Sequence, residues 1–362
     1  MTIRIELNKL KWKWNALAYI IVFVFAGLNY DNLDFFMYHN QYNNLSVNYG
    51  FEKPYLFLMS IGHKLGLSYG GFLAVQVLIS LIFLHMAIQK ITDDHATVLF
   101  LTIISPLALF VTQSRMFFAY CIFFFALSFL LSEKYQIITY IILLFLASLI
   151  HNGMYFYFVF IIAKIIKPKL SLIIIVIYNI LANTLIANTD LLTNIFVKIN
   201  NVIPTSKTFF YFLNRQNTPN RNGVLAADAN YVFWLFVVLI LLYEEYAEGQ
   251  DTYSKGFLKY CNSTKSMLGL FLRCYIWVGL VVPFIQVNTI FERYFFYLSI
   301  YIYVLGTGTR DQMRTDIRRR NINLLLLFAG IFGFFYIVYV NGAFKRVVVP
   351  MIFSNYLLGW VN

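Results

Sequence analysis

Residues 96–132 read ATVLFLTIISPLALFVTQSRMFFAYCIFFFALSFLLS, two apolar runs parted by the small polar island Thr112, Gln113, Ser114 and Arg115. A membrane-spanning helix takes about 20 residues, somewhat fewer when flanking side chains reach the headgroups. Each run fits that measure, and the island is too short to form a loop. The stretch therefore predicts a tight helical hairpin with Arg115 at its bend. The same pattern recurs around His151 in SLIHNGMYF, residues 148–156. Extended along the chain, it places spans near 15–30, 70–89, 96–112, 116–132, 136–150, 153–167, 170–187, 230–245, 266–286, 289–306 and 322–340, about eleven in all.

Composition agrees. The 362 residues are 60% hydrophobic and 12% charged, with a mean hydropathy of +0.69. Soluble domains carry about a quarter charged residues, so a soluble fold is excluded. The expected class is all-α: one integral membrane domain, 1–362, built as a polytopic helical bundle. The formal charge of +12 does not indicate a nucleic-acid partner, because the basic residues lie in short stretches between apolar runs and form no single patch. Membrane lipid is the partner this distribution implies. The basic start, Arg4, Lys9, Lys11 and Lys13, leads into an apolar run with no Ala-x-Ala-like exit, so the first span is expected to be retained. Cys121 and Cys274 lie in apolar segments and Cys261 in a hydrophilic one, which leaves no outward-facing pair for a disulfide.

Lys and Arg set the orientation. With the N-terminus in the cytoplasm, seventeen of the 28 basic residues fall on cytoplasmic segments, including the loops 246–265 and 307–321. The opposite face carries fewer over more loop, and the C-terminal tail falls outside. Two long outer loops follow, 31–69 and 188–230. The first opens with YDNLDFFMYHNQYNN and continues through FEKPYLFLMSIGHKLGL, whose Pro54 suits a helix start. That helix is apolar but too short to span, so an interfacial or re-entrant position is expected. The second carries Lys198, Lys207, Arg215, Arg221 and Asp228 among Asn-rich and aromatic stretches, and reads as a packed lid.

This topology collects the charges that are not cytoplasmic anchors at the outer ends of the helices. Arg115 is placed either to snorkel to the outer headgroups or to offer a planar fork to an anionic group. His151 sits beside Asn152 and Gly153 in a polar break between two apolar helices, either as a hydrogen-bonded structural residue or as part of a site. Arg293, next to Glu292, lies about a turn inside a span, where a charge must face the interior or a polar cavity. Asp31, Asp34 and Glu52 supply carboxylates in the first outer loop, each suited to act as a general base or simply to cap a helix or sit in solvent. Asp31 and Asp34 would share a face if a helix covered both. Arg215 and Arg221 make the second loop basic, either for an anionic leaflet or to close on a diphosphate. Arg273 is expected to snorkel toward the cytoplasm. His39, His63, His85 and His95 show no metal-ligand spacing, no nucleotide or hydrolase motif occurs, and neither a metal nor a cofactor is expected.

Several cations, one His and a few carboxylates at one membrane face suit a lipid diphosphate joined to a polar group. The cations would stabilise charge on the leaving oxygen, and a carboxylate or the His would take a proton from the attacking hydroxyl. The order of YDNLDFFMYHNQY, FEKPYLFL, TQSRMFFAYCIFFFALSFL, LASLIHNGMYF and FERYFFY resembles the EpsG family of bacterial polysaccharide polymerases, related in role to Wzy-type O-antigen polymerases. The resemblance implies a multi-pass protein of the bacterial cytoplasmic membrane, with an active site facing the periplasm or cell exterior and an architecture similar to the GT-C glycosyltransferases. It implies joining of oligosaccharide repeats carried on undecaprenyl diphosphate, with a chain-length regulator as a further partner. On that analogy Arg115 and Arg293 contact diphosphate, His151 binds or orients it, and Asp31, Asp34 or Glu52 acts on the acceptor. The family segment that often carries an Arg-Gln pair reads Ser114-Arg115-Met116 here, with Gln113 on the other side.

Three rivals stand beside this reading. A flippase or transporter of lipid-linked oligosaccharide should carry charge through the mid-membrane, an O-antigen ligase would use the same donor with a different acceptor, and a membrane acyltransferase should show a His and an acid near a cytoplasmic donor site. The cytoplasmic cluster RDQMRTDIRRR lacks His and reads as an anchor.

Overall fold

The structure is a computed structural model, and it describes residues 2–47, 50–132, 136–187, 221–249, 257, 260, 266–340 and 342–357. The described residues are mostly helical and form no strand, apart from an isolated bridge between Asn29 and Asn355. Contacts gather it into two compact units, the first comprising 1–158 with 300–362 and the second 159–299.

The first unit begins with α1 (Thr2–Gly27). Two short helices follow in the first predicted outer loop, α2 (Phe35–Asn43) and α3 (Lys53–Lys64). Pro54 lies in the first turn of α3, as expected, because its missing N–H and fixed φ cost nothing there. At 1.5 Å per residue, α3 is about 18 Å long, too short to cross a bilayer. It ends at Gly66, whose φ of +73° lets the Leu67 N–H return to the Gly62 carbonyl at 3.1 Å.

The bundle proper is α4 (Tyr69–Gln89), α5 (His95–Ile104), α6 (Leu107–Thr112), α7 (Ser114–Leu130) and α8 (Ile137–Ile150). The expected span 96–112 is broken between α5 and α6. Pro106 has no N–H to donate and disfavours helix at Ser105, so the helix stops and restarts there. The predicted breaks at Arg115 and His151 are present. Only Gln113 separates α6 from α7, and α8 ends at an extended His151 before a tighter helical segment, Asn152–Phe158.

The second unit holds α9 (Val159–Ile165), α10 (Pro168–Ala187), α11 (Arg221–Glu248) and α12 (Met267–Val278), which tightens into Gly279–Gln286. Gly279 is a point of close approach between these helices. A Cβ there would lie 2.8 Å from Ile175 Cγ2 and 2.9 Å from the Tyr231 hydroxyl. Asn179 donates to the Gly279 carbonyl at 3.1 Å and Trp277 donates to Ser171 Oγ at 2.9 Å. The unit ends with Thr289–Glu292, α13 (Arg293–Phe296) and Ser299.

The chain returns to the first unit through α14 (Ser299–Gln312), α15 (Asp316–Phe335) and α16 (Val349–Phe353). Asn29 donates to the carbonyls of Pro350 and Ser354 at 2.9 and 3.0 Å, so the C-terminal segment is tied to the end of α1.

Among the described residues, Tyr69–Gln89, Pro168–Ile186, Asn222–Glu248, Met267–Gln286 and Asp316–Tyr339 are long and apolar enough to cross a membrane, and the shorter apolar helices 95–104, 114–130, 137–150 and 152–165 coincide with other expected spans. One expectation is overturned. Arg273 does not snorkel: it is 3% exposed, within α12.

Candidate functional site

The bend between α6 and α7 puts Arg115 in the first turn of α7, at one end of the first unit's bundle. Its Nη1 donates to Oε2 of Glu52, 63 positions earlier in sequence. The two side chains are 11% and 7% exposed, so the pair is largely shielded from water. The second carboxylate oxygen, Oε1, accepts the backbone N–H of Asn152 at 3.1 Å. One carboxylate therefore ties together three segments chosen separately from the sequence: the expected first outer loop, the Arg115 bend and the His151 turn.

Each member is held by local structure. Glu52 is the N-cap residue of α3, with φ −66° and ψ 136°, and its side chain makes no capping hydrogen bond. That leaves it to reach Arg115. The guanidinium lies over the Phe51 ring at 4.5 Å and near the Tyr55 ring at 5.8 Å, cation–π geometry that restrains it from a second side. Tyr55 in turn donates to Gln76 Oε1 at 2.7 Å, and Gln76 Nε2 donates to the Ser114 carbonyl at 2.9 Å. Gln76 thus locks both the ring beside the cation and the start of its helix.

His151 accepts the Gly153 N–H on Nδ1 at 3.0 Å. With Nδ1 so used, the neutral ring carries its proton on Nε2, which suits it to donate to an anion and not to accept a proton. Tyr38, buried on α2, feels the whole group. Burial pushes its phenol up, the Arg115 charge pulls it down, and the carboxylates of Asp34 and Glu52 push it up again. Asp34 and the pair thus both lie within electrostatic range of Tyr38.

The other expected site residues fall elsewhere. Asp31 is exposed and lies before α2, which starts only at Phe35, so no helix aligns it with Asp34. Asp34 takes the N-cap position, where its N–H donates to Asn32 Oδ1 at 3.1 Å. Arg293 opens α13 in the second unit, half-buried beside a buried Glu292. Arg215 lies outside the described residues, as does most of the expected loop 188–230. Arg221 opens α11, and its side chain also lies outside the described residues. No group of three or more potential metal ligands occurs among the described residues.

Gln76, Tyr38, Phe51 and Tyr55 were not singled out from the sequence. Gln76 had one visible signal, a lone amide inside the run GGFLAVQVLISLIFL. A buried amide in an apolar helix must find partners, and its partners mark the site.

A family model described as the EpsG family matches residues 13–356, nearly the whole chain. Comparison with curated proteins and with solved structures gives no match. The chain belongs to the EpsG family.

Proposed function

On the premise of that membership, we propose that this protein polymerises oligosaccharide repeat units carried on undecaprenyl diphosphate, on the outer leaflet of the bacterial cytoplasmic membrane. The chain crosses the bilayer about eleven times in a GT-C-like arrangement, with the Arg115 end facing the periplasm or cell exterior. The observation that carries the reading is the shielded Glu52–Arg115 pair, a cation and a base candidate held side by side next to His151.

The chemistry follows from these groups. The acceptor sugar hydroxyl attacks the anomeric carbon of the growing chain. The new C–O bond forms as the bond to the lipid diphosphate breaks, and the diphosphate leaves with the electron pair. Arg115 stabilises the charge that develops there, and the Nε2–H of His151 orients a phosphate oxygen. Arg293, Arg215 and Arg221, all in the second unit's stretch of sequence, are further candidates for contact with an anionic group. Glu52 takes the hydroxyl proton, with Asp34 and Asp31 as further acids of the same loop. A single base with direct displacement inverts the anomeric carbon.

A second reading, a flippase of the lipid-linked oligosaccharide, draws on the buried cations Arg273 and Lys164 in the second unit's helices. Reconstitution of the purified protein with one lipid-linked repeat separates the readings. A polymerase yields a ladder of products. A flippase, or a ligase deprived of its lipid A-core acceptor, returns the single repeat unchanged.

A further inference from the structure

Arg115 carries a donor that Glu52 does not use. Its Nε–H is buried and has no acceptor, although a guanidinium offers several N–H groups and favours ligands that engage more than one. Glu52 answers only Nη1. An arginine built to hold Glu52 permanently would have its remaining buried donor satisfied, because an unmet buried N–H is costly. The cation, moreover, does not depend on Glu52 for its position. Phe51 and Tyr55 restrain it, and Gln76 fixes Tyr55 and the first carbonyl of α7. Glu52 is the movable partner: it stands at the extended N-cap position with no capping bond to lose, and its departure breaks, besides the ion pair, the hydrogen bond that Oε1 accepts from the Asn152 N–H.

Building on the polymerase reading, we infer that Glu52 is an internal placeholder for the substrate diphosphate on Arg115. Donor binding exchanges the partner of the guanidinium and releases Glu52 to the acceptor hydroxyl. A diphosphate presents more oxygens and more charge than one carboxylate, so it can meet both Nη1 and the idle Nε–H. The displaced carboxylate loses a cation and gains an anionic neighbour, and both changes favour its taking a proton. Before the donor arrives, Arg115 holds the base; afterwards the base is free. The site therefore activates an acceptor only when a donor is loaded.

The exchange predicts an unusual pair of effects. A placeholder competes with the ligand, so apparent affinity is reduced by the fraction of time the cation is occupied. Undecaprenyl diphosphate without sugar is the probe, titrated onto full-length protein in nanodiscs. Glu52→Gln should bind it about tenfold more tightly than wild type, on that occupancy argument, while chain extension is lost. Glu52→Asp, one methylene too short to hold Arg115, should also bind more tightly yet retain more extension than Glu52→Gln. Arg115→Ala should lose binding. If neither Glu52 variant binds more tightly than wild type, the exchange is overturned. If Glu52→Gln does not fold, the Asp variant decides. Binding by wild type without a gain in the variants would overturn the exchange alone; binding by none of the proteins would overturn the proposed diphosphate substrate with it.

Discussion

The first unit carries an ion pair at each end of its bundle, and the two are built differently. At one end Arg115 faces Glu52 through a single nitrogen, with a buried Nε–H left over. At the other, about 25 Å away along α7 at 1.5 Å per residue, Arg310 is saturated. Its Nη2 contacts Asp94 Oδ2 and Asp311 Oδ1, both at 2.7 Å. Asp94 also caps α5 by accepting from the Thr97 N–H and hydroxyl, and Thr92 donates to Asp311 at 2.6 Å. Gly308 lets α14 lie against the α4–α5 turn: a Cβ there would sit 2.6 Å from Ile91 Cγ2. Full satisfaction at the Arg310 end is what a structural clamp requires. The incomplete satisfaction at the Arg115 end is what a site awaiting a ligand would show.

The contrast can be broken by mutation. The largest expected effect is at the Arg115 end. Arg115→Ala should lower chain extension on the order of 100-fold or more, the scale of removing one preorganised donor from developing charge. His151→Ala should act in the same direction, and both should leave membrane insertion intact. Extension assays on inserted protein check this, and normal chain length in both variants would sink the site.

Gln76 comes next. Gln76→Leu keeps an apolar helix but releases Tyr55 and the start of α7, so Arg115 loses its alignment without losing its charge. A fall in kcat of about tenfold, with KM little changed, is expected when a catalytic group is misplaced and still present. Steady-state kinetics with a lipid-linked repeat reads it, and an unchanged kcat would remove Gln76 from the positioning scheme.

The Arg310 end should respond in stability alone. Burial opposes the charge on Asp94, but hydrogen bonds from Arg310 and Thr97 outweigh it and hold the carboxyl below its ordinary range. The folded form thus binds that proton more weakly than the unfolded chain. The stabilisation is complete above the ordinary carboxylate value of about 4, and it fades as pH falls through the lower folded value. Asp94→Asn should cost about 2 kcal/mol at neutral pH, the size of a hydrogen bond to a charged group, and should flatten the loss of stability in acid. Thermal unfolding in detergent across pH measures both, and an equal acid sensitivity in the variant would contradict the assignment.

Charge was the legible part of this sequence. In a chain that is 12% charged, each ionic residue outside an anchor is conspicuous, and Glu52, Arg115 and His151 could be chosen one by one. That they meet, across separations of 63 and 100 positions, was implied only by the topology. Hydropathy revealed the breaks at Gln113 and His151 but passed over the one at Pro106, because the residues around it are as apolar as the helix on either side. It also cast Arg273 as a snorkelling residue, although sequence position alone does not say which face of a helix is buried. Arg310 read as one anchor in a basic cluster, since its partner Asp94 lies 216 positions away. Gln76 and Tyr38 stayed silent because neutral polar side chains change a hydropathy profile very little.

The central claim is that the Arg115 end works on substrate while the Arg310 end holds the fold. Reconstituting wild type, Arg115→Ala and Asp94→Asn side by side with one lipid-linked repeat tests it most directly. A product ladder from wild type and from folded Asp94→Asn, with none from Arg115→Ala, is the predicted result. A full ladder from Arg115→Ala would contradict it.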